Sequence, residues 1–351
     1  MIMSEKMKAI VKVKAEKNGT ELMDVNMPKP DSHGVLIKID VASICGTDVH
    51  IFNWDQWAES RIKVPLIYGH EFAGHVVEVG ENVSSVGVGD YVSGECHIYC
   101  GQCIQCRTGL SHICQNMKVF GVDSDGIFAE YASIPESNVW KNNPEISPEL
   151  CSIQDPLGNA VHSVFSTDVV GKDVVILGLG PIGLMTAAIC EHTGSAQVFA
   201  VERFNSYRTD LAKKIGVDAV FQSTEDAEEA IKTATKGKGA DVVFEMSGSL
   251  DAMQAGLKLL KAGGTMILLG VYSKPALIDL SNDIVFKYIT LKGIFGRRIF
   301  DDWYKMRGLL GTPSIQKKLQ TIITHRYPFE QFFDGMEAMR SGKSGKVVLT
   351  L

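Results

Sequence analysis

VVILGLGPIG, residues 174–183, runs from β-branched and aliphatic residues straight into three glycines, Gly178, Gly180 and Gly183, spaced Gly-x-Gly-x-x-Gly. The spacing alone is a weak signal. Its setting makes it strong, because it follows a strand-like run and opens the helical pattern PIGLMTAAICEHTG (181–194). Gly178 allows the tight turn, Gly180 lets a pyrophosphate approach the backbone, and Gly183 lets helix and strand pack closely. With Leu179, Pro181 and Ile182 they form one predicted phosphate cradle at the positive end of a helix.

The same alternation continues on both sides of this turn. DVVILGLG, AQVFAVE, ADVVFEMSG and GTMILLGV are short buried-type strands, each followed by a segment of helical spacing. That is the signature of a Rossmann-type, doubly wound parallel sheet, predicted here over residues 161–298. The second strand should end in an acid that binds the adenosine ribose. Counting forward about twenty residues from the glycines reaches Glu202, which favours NAD. Arg203 follows at once and keeps NADP open, since a guanidinium can hold a 2′-phosphate. Counting backward from the next helix would instead put Arg203 in the acid's place. The forward count is preferred because strand register is fixed by the glycine turn and an extra residue is better absorbed in a loop. Arg208, one turn further on, is a candidate to stack on the adenine or to cover the surface.

The first third reads differently. KAIVKVKA, VLIKIDVAS, AGHVVEVG and DYVSGEC alternate or are β-branched and are separated by turn residues, which predicts an antiparallel, barrel-like β domain over residues 1–160. Residues 299–351 end in SGKVVLTL, a strand able to rejoin it. Gly342-Lys343-Ser344 suggests a phosphate loop, but the glycine required five positions earlier is Glu337, so a turn into the last strand is the better reading.

At 351 residues, 45% hydrophobic and with a formal charge of −6, the chain can bury two cores and has no basic tract suited to nucleic acid. The opening residues hold no apolar block typical of an export signal, and the longest apolar run is too short and too interrupted for a membrane span. A reducing compartment is therefore expected. This makes metal ligation the better reading of the eight cysteines. CGQCIQCRTGLSHIC (100–114) supplies Cys100, Cys103, Cys106 and Cys114, with Gly101 and Gly109 for the turns. Four thiolates close a tetrahedral zinc, so this lobe, about residues 96–115, is predicted to hold shape and to do no chemistry.

A second set of donors lies in ICGTDVH (44–50) and YGHEFAGHVVEVGENV (68–83): Cys45, Thr47, His50, His70 and Glu71. Mixed cysteine, histidine and carboxylate sets bind catalytic zinc, and Asp155 in DPLGNAVH is a further carboxylate for it. Together with the four-cysteine lobe and the glycine fingerprint, these residues resemble the zinc-dependent medium-chain dehydrogenases, with a GroES-like β domain beside the Rossmann domain. SICGTDVHIFNWDQWAESRIKVP, DPLGNAVH and ITHRYPFEQFFDGMEAMRSGKSGKVVL look like the members that oxidise the secondary alcohol of L-threonine at C3.

The resemblance implies a catalytic zinc on Cys45, His70, Glu71 and Asp155, hence two zincs per chain. It also implies NAD as oxidant, a homotetramer, a cytoplasmic setting, and Ile294 and Phe295 among the cofactor contacts. Thr47 and His50 are candidates for a proton relay. His97 is the candidate at the ammonium end of an amino-acid substrate, and Arg297 is one for a carboxylate or the pyrophosphate. Trp54 and Trp57 are candidate pocket walls. Three anionic ligands overcompensate one zinc, so Glu71 is expected to loosen when substrate arrives. Cys96 stands where the resemblance leads one to expect glycine. A polyol or diol dehydrogenase is the competing enzyme reading. A nucleotide-binding scaffold without catalysis is the competing reading of another class, against which Cys45, His70 and Asp155 argue.

Overall fold

A computed structural model describes residues 5–351; residues 1–4, the start of the stretch read for an export signal, lie outside it. The chain divides into two compact units. The first comprises Met1–Asp155, Ile323–Gly342 and Lys346–Leu351, and the second Pro156–Ile322 and Lys343–Gly345.

The first unit is built on strands β1 (Lys6–Lys12), β2 (Thr20–Asn26), β3 (Gly34–Ser43), β4 (Leu66–Ile67), β5 (Glu71–Val79), β6 (Tyr91–Gly94), β7 (His97–Ile98), β8 (Lys118–Val119), β9 (Tyr131–Pro135) and β10 (Val139–Lys141). The central strand β3 is buried along almost its whole length, as its run of valine, leucine and isoleucine requires. It pairs antiparallel with β5 and β9, and β5 continues to β6 and β10. On its other side lies the closing strand of the chain, Lys346–Thr350, which also pairs parallel with Ile323–Pro328. Ile37, Ile44, Tyr68, Phe72, Phe128, Phe332 and Val347 form the core under this sheet. The Phe128 ring meets Tyr68 and Phe332 edge to face at 5.5 and 5.3 Å.

The second unit holds strands β11 (Asp173–Leu177), β12 (Gln197–Val201), β13 (Ala219–Phe221), β14 (Ala240–Glu245), β15 (Leu260–Leu268) and β16 (Thr290–Gly293) in one wholly parallel sheet. Their order is β13-β12-β11-β14-β15-β16. Numbered from β11 this is 3-2-1-4-5-6, the dinucleotide-binding order, and the order reverses between β11 and β14. The crossover helices are capped as their sequences dictate. The Asn205 side chain accepts from Arg208 N–H at the start of Ser206–Ile215, and Gly216, at φ 108°, ends that helix.

The units divide at Asp155/Pro156 and Ile322/Ile323, whereas the sequence pattern suggested 160/161 and 298/299. The second difference has a packing cause. Helices Asp301–Leu310 and Pro313–Ile322 stay with the second unit, burying Trp303, Met306, Ile315, Leu319 and Ile322. Lys318 pairs with Glu191 at 2.8 Å and donates to the Ile215 carbonyl. Strand and helix alternation stops at β16, so periodicity alone cannot show that these two helices belong to the same core.

Three glycines converge just before His70. Gly69 adopts φ 90°, and a Cβ built there would lie 2.6 Å from the buried Phe128 ring. Gly121 and Gly126 approach the Gly69 carbonyl so closely that a Cβ on either would lie 2.3 and 2.1 Å from that oxygen. Gly69→Ala therefore combines a left-handed backbone with a clash in a close-packed core and should destabilise the first unit by about 2–4 kcal/mol. Thermal unfolding monitored by circular dichroism checks this, and an unchanged melting temperature would show that the turn is not constrained as described.

Candidate functional site

Cys45 caps the helix Gly46–Asn53 with extended backbone. Its N–H donates to Asp48 Oδ2 at 2.8 Å, and Thr47 Oγ1 lies 3.8 Å from its Sγ. His70 directly precedes β5 and Glu71 opens it, as the cross-strand partner of Ser43 on β3. Donor atoms of Cys45, His70 and Glu71 lie within 4.8 Å of one another. Asp155, which is also buried, acts on the charge of His70.

The electrostatics show what this cluster is built to hold. Burial opposes a proton on His70, yet Cys45, Asp48 and Asp155 outweigh it and bring its pKa up to about 10. Asp48 is fully buried, and burial pushes its carboxyl up to about 6 against the pull of His70. Its Oδ1 stands 3.8 Å from His70 Nδ1, and neither atom has a hydrogen-bond partner. Lys346 answers the anions: its ammonium, 2% exposed, pairs with Glu71 Oε2, to which Ser43 also donates, and reaches the Ile44 carbonyl at 2.8 Å. These anions hold Lys346 above the usual lysine range despite its burial. Glu71 Oε1 is buried without a partner. A buried oxygen left without a donor costs about 1–3 kcal/mol, and a cation among these ligands removes that cost. The donor set fits a divalent ion with zinc's preference for sulfur, nitrogen and oxygen.

The four-cysteine lobe is a separate centre in the same unit. All four sulfurs lie within 4.8 Å of one another, with Cys103 at 3.5 Å from Cys106 and 3.8 Å from Cys114. Backbone N–H groups point at them, Cys103 at Cys100 Sγ and Asn116 at Cys114 Sγ. Backbone donors of Gln102 and Cys103 bring the Cys100 thiol down to about 6, while burial pushes Cys106 up to about 12. Such a set can be deprotonated throughout only around a cation. No disulfide joins any of the eight cysteines.

Beyond the donors named from sequence, Glu95, Cys96 and His97 form a third group of neighbouring donor atoms. Glu95 accepts from the His97 N–H at 3.0 Å and meets its Nδ1 at 2.7 Å, and Asn138 Nδ2 clamps the carbonyls of both. His97 is thus oriented by a buried carboxylate. His50 is exposed, with Nδ1 on Asp55 Oδ2 and its ring 5.9 Å from Trp57. Trp54 lies under the Lys12 ammonium at 5.3 Å, which ties it to β1.

In the second unit the glycine turn has the required shape. Gly178 is at φ 92°, and a Cβ on Gly183 would sit 2.1 Å from the Gly178 carbonyl. At Gly180, which caps the helix Pro181–His192, a Cβ would meet nothing within 4 Å, leaving the helix end open to a ligand. Glu202 follows directly on β12, and its Oε2 accepts the Leu179 N–H at 2.9 Å, so the acid at the turn is Glu202. Arg203 is half exposed, turned to Asp251 at 3.6 Å and over the Phe204 ring. Arg208 Nε donates to the Ser344 carbonyl at 3.1 Å. Ile294 is buried, its N–H on Leu268, and Phe295 is exposed. Arg297 does not present itself to a ligand: it is 1% exposed, packed on Gly158, reaching Asn159 at 3.3 Å and lying over Trp303.

Sequence reasoning passed over Ser43, Asp48, Glu95 and Lys346. Lys346 had a detectable signal, a lysine opening the otherwise apolar strand KVVLT, since buried lysines are nearly always paired. Asp48 and Ser43 look like ordinary turn and strand-end residues, and only the pairing of β3 with β5 brings them to the cluster.

Residues 31–145 match the alcohol dehydrogenase GroES-like domain, and residues 181–311 match the zinc-binding dehydrogenase domain. The chain is 51% identical to an L-threonine 3-dehydrogenase of Caldanaerobacter subterraneus subsp. tengcongensis, over 98% of each chain. It is 48% identical to that of Bacillus subtilis, over 99% of each. Among solved structures, a zinc-binding dehydrogenase from Sinorhizobium meliloti bound to NADP superposes with a TM-score of 0.89 at 28% identity, covering 99% of this chain and 100% of the other. The 2R,3R-butanediol dehydrogenase of Bacillus subtilis superposes with a TM-score of 0.85 at 26% identity, covering 98% and 99%. With its glycine turn, its four-thiolate lobe and its Cys45, His70 and Glu71 cluster, the chain belongs to the zinc-binding alcohol dehydrogenases with a GroES-like domain, in the group of the L-threonine 3-dehydrogenases.

Proposed function

We propose that the chain oxidises L-threonine at C3 to 2-amino-3-oxobutanoate, with the hydride passing to NAD. The convergence of Cys45, His70 and Glu71 carries this reading, joined to full-length similarity to enzymes of that name. Cys45, His70, Glu71 and Asp155 would hold a zinc, which would supply a Lewis acid lowering the pKa of the substrate hydroxyl. The chain's own residues do the rest. Glu71 is tethered through Oε2 by Lys346 and Ser43, which makes it the ligand with an alternative partner, able to loosen as substrate enters. Thr47, beside Cys45, takes the hydroxyl proton as its own passes to His50 Nε2 and from there to water. Asp55 holds His50 Nδ1, which leaves Nε2 for exchange with water. His97, backed by Glu95, faces the charged end of the amino acid.

In the second unit, residues 178–183 cradle the pyrophosphate and Glu202 binds the adenosine ribose, with Arg208, Ile294 and Phe295 as further contacts. Glu202 supports NAD over NADP, because a 2′-phosphate would face its carboxylate. Arg203 is engaged with Asp251 and Phe204. Steady-state assays with L-threonine, L-serine and 2,3-butanediol, each with NAD and NADP, test the reading. The kcat/KM for L-threonine should exceed that for the diol by about a hundredfold or more, since polar groups placed for an ammonium and a carboxylate are left unpaired by a diol. NAD should be preferred over NADP by about tenfold or more, which is roughly 1.4 kcal/mol. Equal turnover of the diol would favour a diol dehydrogenase, as in the butanediol enzyme that shares this fold.

The expected assembly is a homotetramer acting in the cytoplasm. The eight cysteines without a disulfide support a reducing compartment. No described helix is long and apolar enough to cross a membrane. Strand β16 is the edge of its sheet and is exposed along its length, beside exposed Val285, Phe286 and Tyr288. An unpaired sheet edge of this kind, flanked by exposed apolar residues, is a template for pairing with a second copy. Sedimentation equilibrium should give a mass near four chains. Leu291→Lys on β16 should shift that mass to dimer or monomer, whereas a wild-type monomer would remove the reading.

A further inference from the structure

We infer that Glu245 is the positioning residue for the nicotinamide half of the cofactor, an inference that rests on reading the second unit as a nicotinamide-dinucleotide site. Glu245 closes β14 with its side chain wholly buried, and no ion pair involves it among the described residues. A carboxylate buried without a cation survives only where enough donors surround it. Here they come from two loops. The Ser247 N–H donates to Oε1 at 2.8 Å, and Ser247 Oγ donates to the same oxygen. The Gly248 N–H is shared between both oxygens at 3.1 Å, and the Tyr272 hydroxyl donates to Oε2 at 2.6 Å. Burial and this carboxylate together push the Tyr272 phenol above its usual range, which keeps the hydroxyl a donor.

The two loops interlock around that side chain. The Glu245 carbonyl accepts from Leu269 and Gly270 N–H at 3.0 and 3.2 Å. A Cβ on Gly270 would lie 2.1 Å from Gly248 N and 2.5 Å from Glu245 Oε2, and one on Gly248, at φ 70°, 2.4 Å from the Val271 carbonyl. Loop 246–249 also touches the glycine turn, since a Cβ on Gly178 would sit 2.7 Å from Ser247 Cβ. One buried carboxylate therefore fixes the loops leaving β14 and β15 and holds the first of them against the turn leaving β11.

Strand order decides which half of a dinucleotide these loops serve. The glycine turn leaves β11 and Glu202 leaves β12, so the adenosine lies on the β12 side of the reversal. The nicotinamide half then lies over the carboxyl ends of β14 and β15, where Glu245 sits. The loop after β15 leaves Val271 93% exposed, an uncovered apolar side chain suited to the face of a planar ring. Glu245 needs no contact with the cofactor to act there, because it holds the surface on which the ring rests.

Calorimetric titration of the full-length protein with NADH and, separately, with ADP tests this. ADP probes only the glycine turn and the adenosine side. In Glu245→Ala the donors of both loops lose their shared acceptor, so the Kd for NADH should rise about tenfold or more while that for ADP changes less than about twofold. Equal losses for both ligands would make Glu245 a general structural residue, and unchanged binding of both would remove its role; either overturns the inference. Should that variant fail to fold, Tyr272→Phe removes one donor from the same carboxylate: a rise of about threefold for NADH alone supports the inference, and no rise overturns it. A wild-type protein that binds neither ligand would overturn the nucleotide reading itself and this inference with it.

Discussion

The chemistry of this chain depends on a concentration of negative charge that it buries and only partly neutralises with Lys346. Cys45, Asp48, Glu71 and Asp155 surround His70, and Lys346 is the cation set among them. In a low-dielectric interior such an excess is unfavourable unless a cation joins it, and the geometry meets that need by bringing three different donor types together. Lys346 then has a second effect. By holding Glu71 Oε2 it gives that carboxylate a partner within the chain, so this buried oxygen is not left unpaired.

Backbone conformation supports both centres of chemistry in the same way, through glycines whose missing Cβ lets two main chains meet. Gly69 with Gly121 and Gly126 sets the approach to His70, and Gly178 with Gly183 sets the nucleotide turn. Each unit places these polar residues where a strand stops: Ser43 at the end of β3 and Cys45 just after it, Glu202 after β12, Glu245 at the end of β14. Ordered sheet up to that point fixes position, and the loop beyond it is free to carry polar groups.

These features were unequally legible in the sequence. The glycine fingerprint and the four-cysteine lobe carry their meaning in local spacing, and the parallel sheet follows from the alternation of strand and helix. Glu202 was reached by counting forward from the glycines, because strand register is rigid. Residues joined across the chain were not legible. Lys346 meets Glu71 only because the last strand pairs with β3, and the Glu95 and His97 carbonyls are clamped by Asn138, far along the chain. Arg297 shows the opposite failure: an arginine near a cofactor loop suggests anion binding, yet it is spent inside the second unit against Gly158 and Trp303.

The central claim is that a mixed-donor metal centre exists beside the four-thiolate one, and zinc K-edge X-ray absorption of the purified protein tests it most directly. Two different sites, one with four sulfurs and one with a single sulfur among nitrogen and oxygen, predict an average of about 2.5 sulfurs per zinc at a content of about two zincs per chain. A spectrum of pure four-sulfur coordination at about one zinc per chain would contradict the account, because Cys45, His70, Glu71 and Asp155 would then hold no metal.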